Sequence, residues 1–265
     1  MTAADAALLF SAGAVAGALN SVAGGGSFVS FPTLLFTGVP AIPANATNTI
    51  ALQPGAMASA WAYRRQFSAH RAAVVALGAV SLAGGLAGAL LLLKTPERTF
   101  LWILPWLLLF ATLLFSFGPA LTKRLREHSG GSAGTATAGA TGGARARAAW
   151  LAVAAIQFAI AVYGGYFGGG IGIMMLAALS LSGMTNIHEM NAFKTLLGSV
   201  INGVAVVAFI VAGVVHWPQG LTMMAGAVLG GYFGAHWAQR VDPKLVRALV
   251  IVTGAAMTAY FFLRG

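Results

Sequence analysis

The chain is organised by apolar runs separated by short polar or glycine-containing breaks. The first run, about Ala6 to Ala23, ends at Gly24-Gly25-Gly26. A short run from Ser27 to Gly38 follows and stops at Val39-Pro40. Longer runs then cover about Asn45–Tyr63, Ala72–Leu93 and Thr99–Gly118. After a polar interval the order returns. A run of about Ala148–Phe167 leads into Gly168-Gly169-Gly170 and a short run from Ile171 to Ser182. Runs near Glu189–Gly213, Gly220–Gln239 and Leu245–Leu263 complete the series. Helices are expected throughout, because each long run approaches the roughly 20 residues that span a bilayer. The two short runs are too brief to span at about 1.5 Å per residue. They predict re-entrant or broken half-helices.

The recurrence extends to single residues. Asn45-Ala46-Thr47-Asn48 falls on Asn191-Ala192-Phe193-Lys194 at an offset of 146, as His70 falls on His216. Gly84-Gly85-Leu86-Ala87-Gly88-Ala89 falls on Gly230-Gly231-Tyr232-Phe233-Gly234-Ala235 at the same offset. The glycine triplets are 144 apart. Three patterns at one offset predict two homologous halves, residues 1–118 and 148–265. The interval between them, 119–147, is rich in Gly, Ala, Ser and Thr and carries five cations. It reads as a flexible cytoplasmic linker.

Composition agrees with a membrane protein. Hydrophobic residues make up 58% of the chain and charged residues 8%, against about 25% charged in soluble domains. Residues 6–63 and 195–239 contain no Asp, Glu, Lys or Arg, so each gap holds more than one membrane segment. The first residues lack the basic n-region of a cleavable signal. There is no cysteine, which excludes disulfides, thiolate metal sites and cysteine catalysis. The net charge of +10 is assigned to the loops and the positive-inside rule, not to nucleic acid. Five segments per half give inverted repeats, with eleven cations inside, Arg240, Lys244 and Arg247 among them, and three outside. Four per half give parallel repeats with nine and five. The rule favours the inverted arrangement, with both termini outside and the linker inside.

The expected fold is therefore an all-α polytopic membrane protein of two inverted repeats. Each repeat holds a Gly-broken or re-entrant helix pair plus three transmembrane helices. Such repeats place a substrate site near the midplane. The half-helices starting near Ser27 and Ile171 offer unpaired N–H groups and positive dipole ends, which attract an anion. Glycines 24, 25, 26, 168, 169 and 170 are site candidates because they allow sharp turns and close approach; packing is the alternative. For Gly84, Gly85, Gly88, Gly230, Gly231 and Gly234, packing is preferred. Lys194, inside a span, is the sharpest candidate for neutralising an anion. The competing role is snorkelling to the headgroups beside Glu189. Asn20, Ser27, Asn45, Asn48 and Asn191 add neutral polar groups, with a helix cap as the alternative for Asn45 and Asn191. Gln53, Asn202, Tyr163 and Tyr166 are weaker candidates. His70 and His216 read as loop residues.

Gly17-Ala18-Leu19-Asn20-Ser21-Val22-Ala23-Gly24-Gly25-Gly26-Ser27, Phe31-Pro32 and Asn45-Ala46-Thr47-Asn48 resemble the first half of the TauE/SafE sulfite exporter family, also called TSUP. Gly164-Gly165-Tyr166-Phe167-Gly168-Gly169-Gly170 and Asn191-Ala192-Phe193-Lys194 resemble its second repeat. The resemblance implies a secondary carrier of sulfur-containing anions, such as sulfite, thiosulfate or organosulfonates, in the bacterial inner membrane. No cofactor, bound metal or enzymatic activity is expected. The expected partners are a small anionic substrate and the lipid bilayer, without nucleic acid. A coupled proton or other ion and homo-oligomerisation are compatible with the sequence. An anion channel with the same polar lining is the runner-up.

Overall fold

The computed structural model describes all residues except 23–24, 63–70, 130–143, 183, 185, 238–242 and 265. The described residues form ten helices and no strand. They are α1 (Ala3–Val22), α2 (Ser27–Phe36), α3 (Ala41–Ala62), α4 (Arg71–Lys94) and α5 (Glu97–Ser129), then α6 (Ala144–Tyr166), α7 (Ile171–Leu181), α8 (Ile187–Val211), α9 (Trp217–Trp237) and α10 (Pro243–Arg264). Four carry stretches long and apolar enough to cross a membrane: Ala3–Ser21, Ala72–Lys94, Glu97–Gly118 and Glu189–Val211. Large apolar side chains stand exposed on the outer faces, among them Trp61, Trp102, Phe117, Val207 and Leu263. An exposed apolar surface of this breadth belongs against lipid.

The two short helices are present, with 10 residues in α2 and 11 in α7. Each is packed against the helix before it. Other boundaries depart from the sequence reading. Helix α5 continues to Ser129 and α6 begins at Ala144, so 119–129 and 144–147 are helical. The segment 120–128 is rich in Leu, Lys, Arg and Glu, which favour helix; the remainder of the linker, 130–143, lies outside the described residues. Helix α3 begins four residues before Asn45 and α8 four before Asn191, so neither asparagine is a cap. The start of α3 is capped instead by Glu97 of α5, whose carboxylate accepts from the Ala41 and Ile42 amides.

The tightest helix contacts join the two halves. Helix α1 packs on α9, and α6 on α4. Exchanging the halves converts one pair into the other. In both pairs glycine brings backbone against backbone. A Cβ on Gly13 would lie 2.2 Å from the Met223 carbonyl oxygen, and one on Gly17 2.1 Å from that of Ala227. From the other side, Gly230 would meet the Ala14 oxygen at 1.9 Å. Gly88 would meet the Val162 oxygen at 2.0 Å, and Gly165 the Gly85 oxygen at 2.0 Å. Close approach of small residues is what associates helices in lipid, where burial of apolar surface drives little. Gly84, Gly88 and Gly230 thus have the packing role expected of them.

Helix directions follow from the same contacts. Gln53 reaches the Ser199 carbonyl at 3.1 Å, while Thr47 accepts from the His216 amide at 3.1 Å. Helix α3 therefore runs against α8. Arg247 meets Phe115 at one end of the α5–α10 contact and Phe262 meets Trp106 at the other, so these two helices are also antiparallel. Phe100 pairs with Tyr166 and Phe110 with Tyr163, which sets α6 against α5. Gly169 lies on Ala111, and Ile173 on Gly118, so α7 runs with α5. Across the second glycine triplet, the chain turns back.

The glycine contacts generate a prediction. Gly17→Leu or Gly88→Leu must push two backbones apart and should destabilise by about 1–3 kcal/mol or more. Gly78→Ala is the control, because nothing lies within 4 Å of a Cβ there; it should be neutral or stabilise by roughly 0.5–1 kcal/mol. Thermal unfolding of the purified variants distinguishes the two classes. Equal melting temperatures for all three would contradict the packing.

Candidate functional site

Gly25 adopts φ +87° and Gly170, which precedes α7, φ +80°. Side-chain-bearing residues rarely occupy this left-handed region, so glycine is required where the chain turns into each short helix. Gly168 is left-handed as well. Gly24 lies outside the described residues. The Gly26 amide donates to Asn20 Oδ1 at 2.8 Å, which fixes the end of α1 to the start of α2.

Around the first turn of α2 the structure gathers a polar cluster. Asn48 of α3 donates from Nδ2 to Ser27 Oγ at 3.1 Å, and its Oδ1 accepts from the Ser30 hydroxyl. Asn48 and Ser30 are buried. Asn20, Gly26, Ser27 and Asn48 thus come together as a group. Asn45, one turn earlier on α3, reaches across to the second half and donates to the Tyr166 carbonyl at 3.0 Å. Tyr163 donates its hydroxyl to the Gly169 carbonyl at 2.8 Å, so the second triplet is braced from α6.

Lys194 occupies the corresponding place in the second half. It lies about two turns into α8, with its aliphatic carbons over the first turn of α7. A Cβ added at Gly172 would be 3.2 Å from Lys194 Cδ and 3.9 Å from Cε. The Ile173 amide donates to the Gly170 carbonyl at 3.0 Å, so the start of α7 leaves the Ile171 and Gly172 amides without a backbone acceptor among the described residues. The ammonium has no hydrogen-bond or ion-pair partner among the described residues. Glu189, suggested as its counter-charge, instead accepts from Asn186 Nδ2 at 3.1 Å. The residue pair Asn48 and Lys194 therefore shares an environment, the start of a short helix, but each belongs to the short helix of its own half. Asn191 is half-buried, one turn before Lys194.

The triplets are seated on protein. A Cβ on Gly25 would lie 2.7 Å from Val250 Cγ1 and 3.0 Å from Phe115 Cζ. One on Gly169 would lie 3.2 Å from Ala111 Cβ, and one on Gly170 3.2 Å from Leu114 Cδ1. The same stretch of α5, residues 111–115, therefore supports both turns. An open groove of about 540 Å³ runs between the end of α4, the start of α5 and α6, and Lys94, Thr95, Thr99, Tyr163 and Tyr166 are among its lining residues. Tyr163, which braces Gly169, is thus also part of the groove's lining.

Gln53 has more weight than its sequence signal gave it. Its Nε2 donates to the Ser199 carbonyl, and its buried Oε1 has no donor among the described residues. Positions 53 and 199 are equivalent at the 146-residue offset, so they mark where the halves meet. The offset pairs every position with its equivalent, so by itself it gave no signal for this contact. His70 lies outside the described residues, and His216 sits in the α8–α9 connection.

Comparison with known proteins agrees with the helical membrane architecture. A probable membrane transporter protein of Haemophilus influenzae is 28% identical over 96% of this chain and 92% of its own length. One from Sinorhizobium sp. is 28% identical over 95% of this chain and 90% of its own. The probable membrane transporter protein YfcA of Escherichia coli K12 is 30% identical over 95% and 87%. No solved structure matches. The family model for Sulfite exporter TauE/SafE matches residues 9–261. The chain is a multi-pass membrane protein and belongs to the TauE/SafE sulfite exporter family.

Proposed function

We propose that this protein is a secondary carrier that exports a small sulfur-containing anion, such as sulfite, thiosulfate or an organosulfonate, across the bacterial inner membrane. The observation that carries this reading is Lys194. A cation without a described partner lies over the N-terminal turn of a broken helix, where the helix dipole also attracts negative charge. Asn20, Gly24, Gly25, Gly26, Ser27, Asn45, Asn48, Gly168, Gly169, Gly170, Asn191 and Lys194 form the substrate-binding set. The seated triplets fit a closed conformation, which opens as the halves move. The family name and the relatives' names support a transporter over an enzyme.

The halves, residues 1–118 and 148–265 about a cytoplasmic linker, act as inverted repeats with both termini outside. In support, the equivalent helices α3 and α8 run in opposite directions, as do α5 and α10. Contact between the equivalent positions 53 and 199 fits a two-fold axis through that crossing. Binding energy that differs between the inward- and outward-open arrangements is what moves a carrier between them.

Three measurements follow. In proteoliposomes a carrier exchanges labelled sulfite against internal sulfite with saturable, trans-stimulated flux. Ohmic single-channel current would support the channel reading instead. Single cysteines can be placed at either terminus or in the linker without background, because the chain has none. An impermeant thiol reagent on intact cells should label both termini and spare the linker; termini on opposite faces would exclude inverted repeats. For Lys194, the alanine variant should lose roughly tenfold or more in apparent substrate affinity, about 1.4 kcal/mol. Lys194→Arg should keep part of it, and Lys194→Glu should fall below alanine, because the carboxylate repels the anion. Near-silent alanine and arginine variants would assign the residue to snorkelling.

A further inference from the structure

Helix α5 contains Pro119 between Gly118 and Ala120. Proline has no N–H, so the carbonyl of Phe115, four residues earlier, loses its helical donor. Just before it, the Thr112 hydroxyl donates back to Leu108 O at 2.7 Å and that of Ser116 to Thr112 O at 2.9 Å. Hydroxyls that back-bond in this way tend to bend a helix. An open carbonyl in the protein–lipid environment needs another partner. Arg247, near the start of α10, supplies it: Nε donates to Phe115 O at 2.8 Å and Nη2 to Ser116 O at 2.6 Å. The planar fork of arginine reaches two adjacent carbonyls at once, which a lysine ammonium does not reproduce.

The tie lies at the seat of the first glycine turn. The ring of Phe115 stands edge-on to Phe28 of α2, with centroids 5.5 Å apart. The same ring and Val250 of α10 form the wall against Gly25. One turn away, a Cβ on Gly254 would meet Thr112 Oγ1 at 2.4 Å and Phe28 Cε1 at 2.8 Å. Arg247 thus fixes α10 to α5 beside the two residues that hold the turn. The tie has no copy in the other half. At the 146-residue offset, Leu101 stands where Arg247 would, and Gly265 where Pro119 would.

We infer that Arg247 is a positioning residue: by taking up the carbonyl that Pro119 leaves open, it locks α10 to α5 and sets the geometry of the first glycine turn. Counted in the sequence as a cytoplasmic loop cation, it has this second role in the fold. The inference rests on the proposed function only in treating that turn as part of the transport site. The coupling of Pro119 to Arg247 is independent of it.

The test uses the full chain carrying Ser27→Cys as its single thiol, two residues beyond Gly25. Into it go Arg247→Gln, Arg247→Lys, Pro119→Ala and the double variant Pro119→Ala/Arg247→Gln. The readouts are the rate of maleimide labelling in detergent and the melting temperature, neither of which needs a substrate. Arg247→Gln should raise the labelling rate roughly tenfold through local opening of the turn, and lower the melting temperature by about 3–8 °C. Arg247→Lys should recover part of both. Pro119→Ala restores an N–H for Phe115, so the double variant should label within about twofold of Pro119→Ala alone, a coupling that a double-mutant cycle isolates. Arg247→Gln labelling at the parent rate would overturn the inference. So would a double variant labelling as fast as Arg247→Gln. If Arg247→Gln does not fold, recovery of a monodisperse protein in the double variant supports the coupling, and failure to recover it overturns it. A protein that carries no sulfur anion would give the same labelling results, so the two proposals fail separately.

Discussion

A helix broken inside a bilayer exposes backbone groups that lipid cannot satisfy, and this constraint shapes the rest of the structure. The chain breaks twice, at Gly25 and at Gly168–Gly170, and each break must be enclosed by protein. Helix α5 does much of the enclosing. Its residues 111–115 lie under Gly169 and Gly170 on one side and, with Val250, against Gly25 on the other. Side chains from elsewhere complete the cover: Asn20 takes the Gly26 amide, Tyr163 the Gly169 carbonyl and Asn45 the Tyr166 carbonyl.

Sealing the breaks requires the halves to interlock. The closest backbone contacts are not within a repeat but between repeats, α1 with α9 and α4 with α6. Each half therefore needs the other to bury its glycine faces. The copies differ where chemistry is concentrated. Asn48, satisfied by Ser27 and Ser30, faces the start of α2, while Lys194, without a described partner, lies over the start of α7. One repeat contributes neutral hydrogen bonds and the other a charge.

Much of this was legible in the sequence because glycine triplets, charge-free runs and a fixed offset are local or periodic signals. The ten helices and the shortness of α2 and α7 follow from those signals. The helix starts did not, since α3 is capped by Glu97, a residue 56 positions away, and no local pattern announces that. The length of α5 was missed because its last turns are charged and follow a proline, so hydropathy ended the span at Gly118 while helix propensity carried the backbone to Ser129. For the candidate site, the residue types were readable and their neighbours were not. Asn45 and Asn191 were ambiguous between cap and contact until the helix bounds put both inside helices. Arg247 looked like any basic residue beside a span, because its partner is a carbonyl opened by a proline in another helix.

If the two protein-sealed helix breaks form the proposed site for a small sulfur oxyanion, that anion stabilises the folded protein. The most direct measurement is the melting temperature of the purified wild-type protein across concentrations of sulfite, thiosulfate, sulfate, organosulfonates and carboxylates, at fixed ionic strength and counter-ion. A ligand of the native state raises apparent stability by mass action, about 2.7 kcal/mol at a hundredfold excess over Kd. A saturable rise with at least one sulfur oxyanion or organosulfonate, larger than with any carboxylate, is the expected result. No rise with any anion, or an equal rise with all of them, would contradict it.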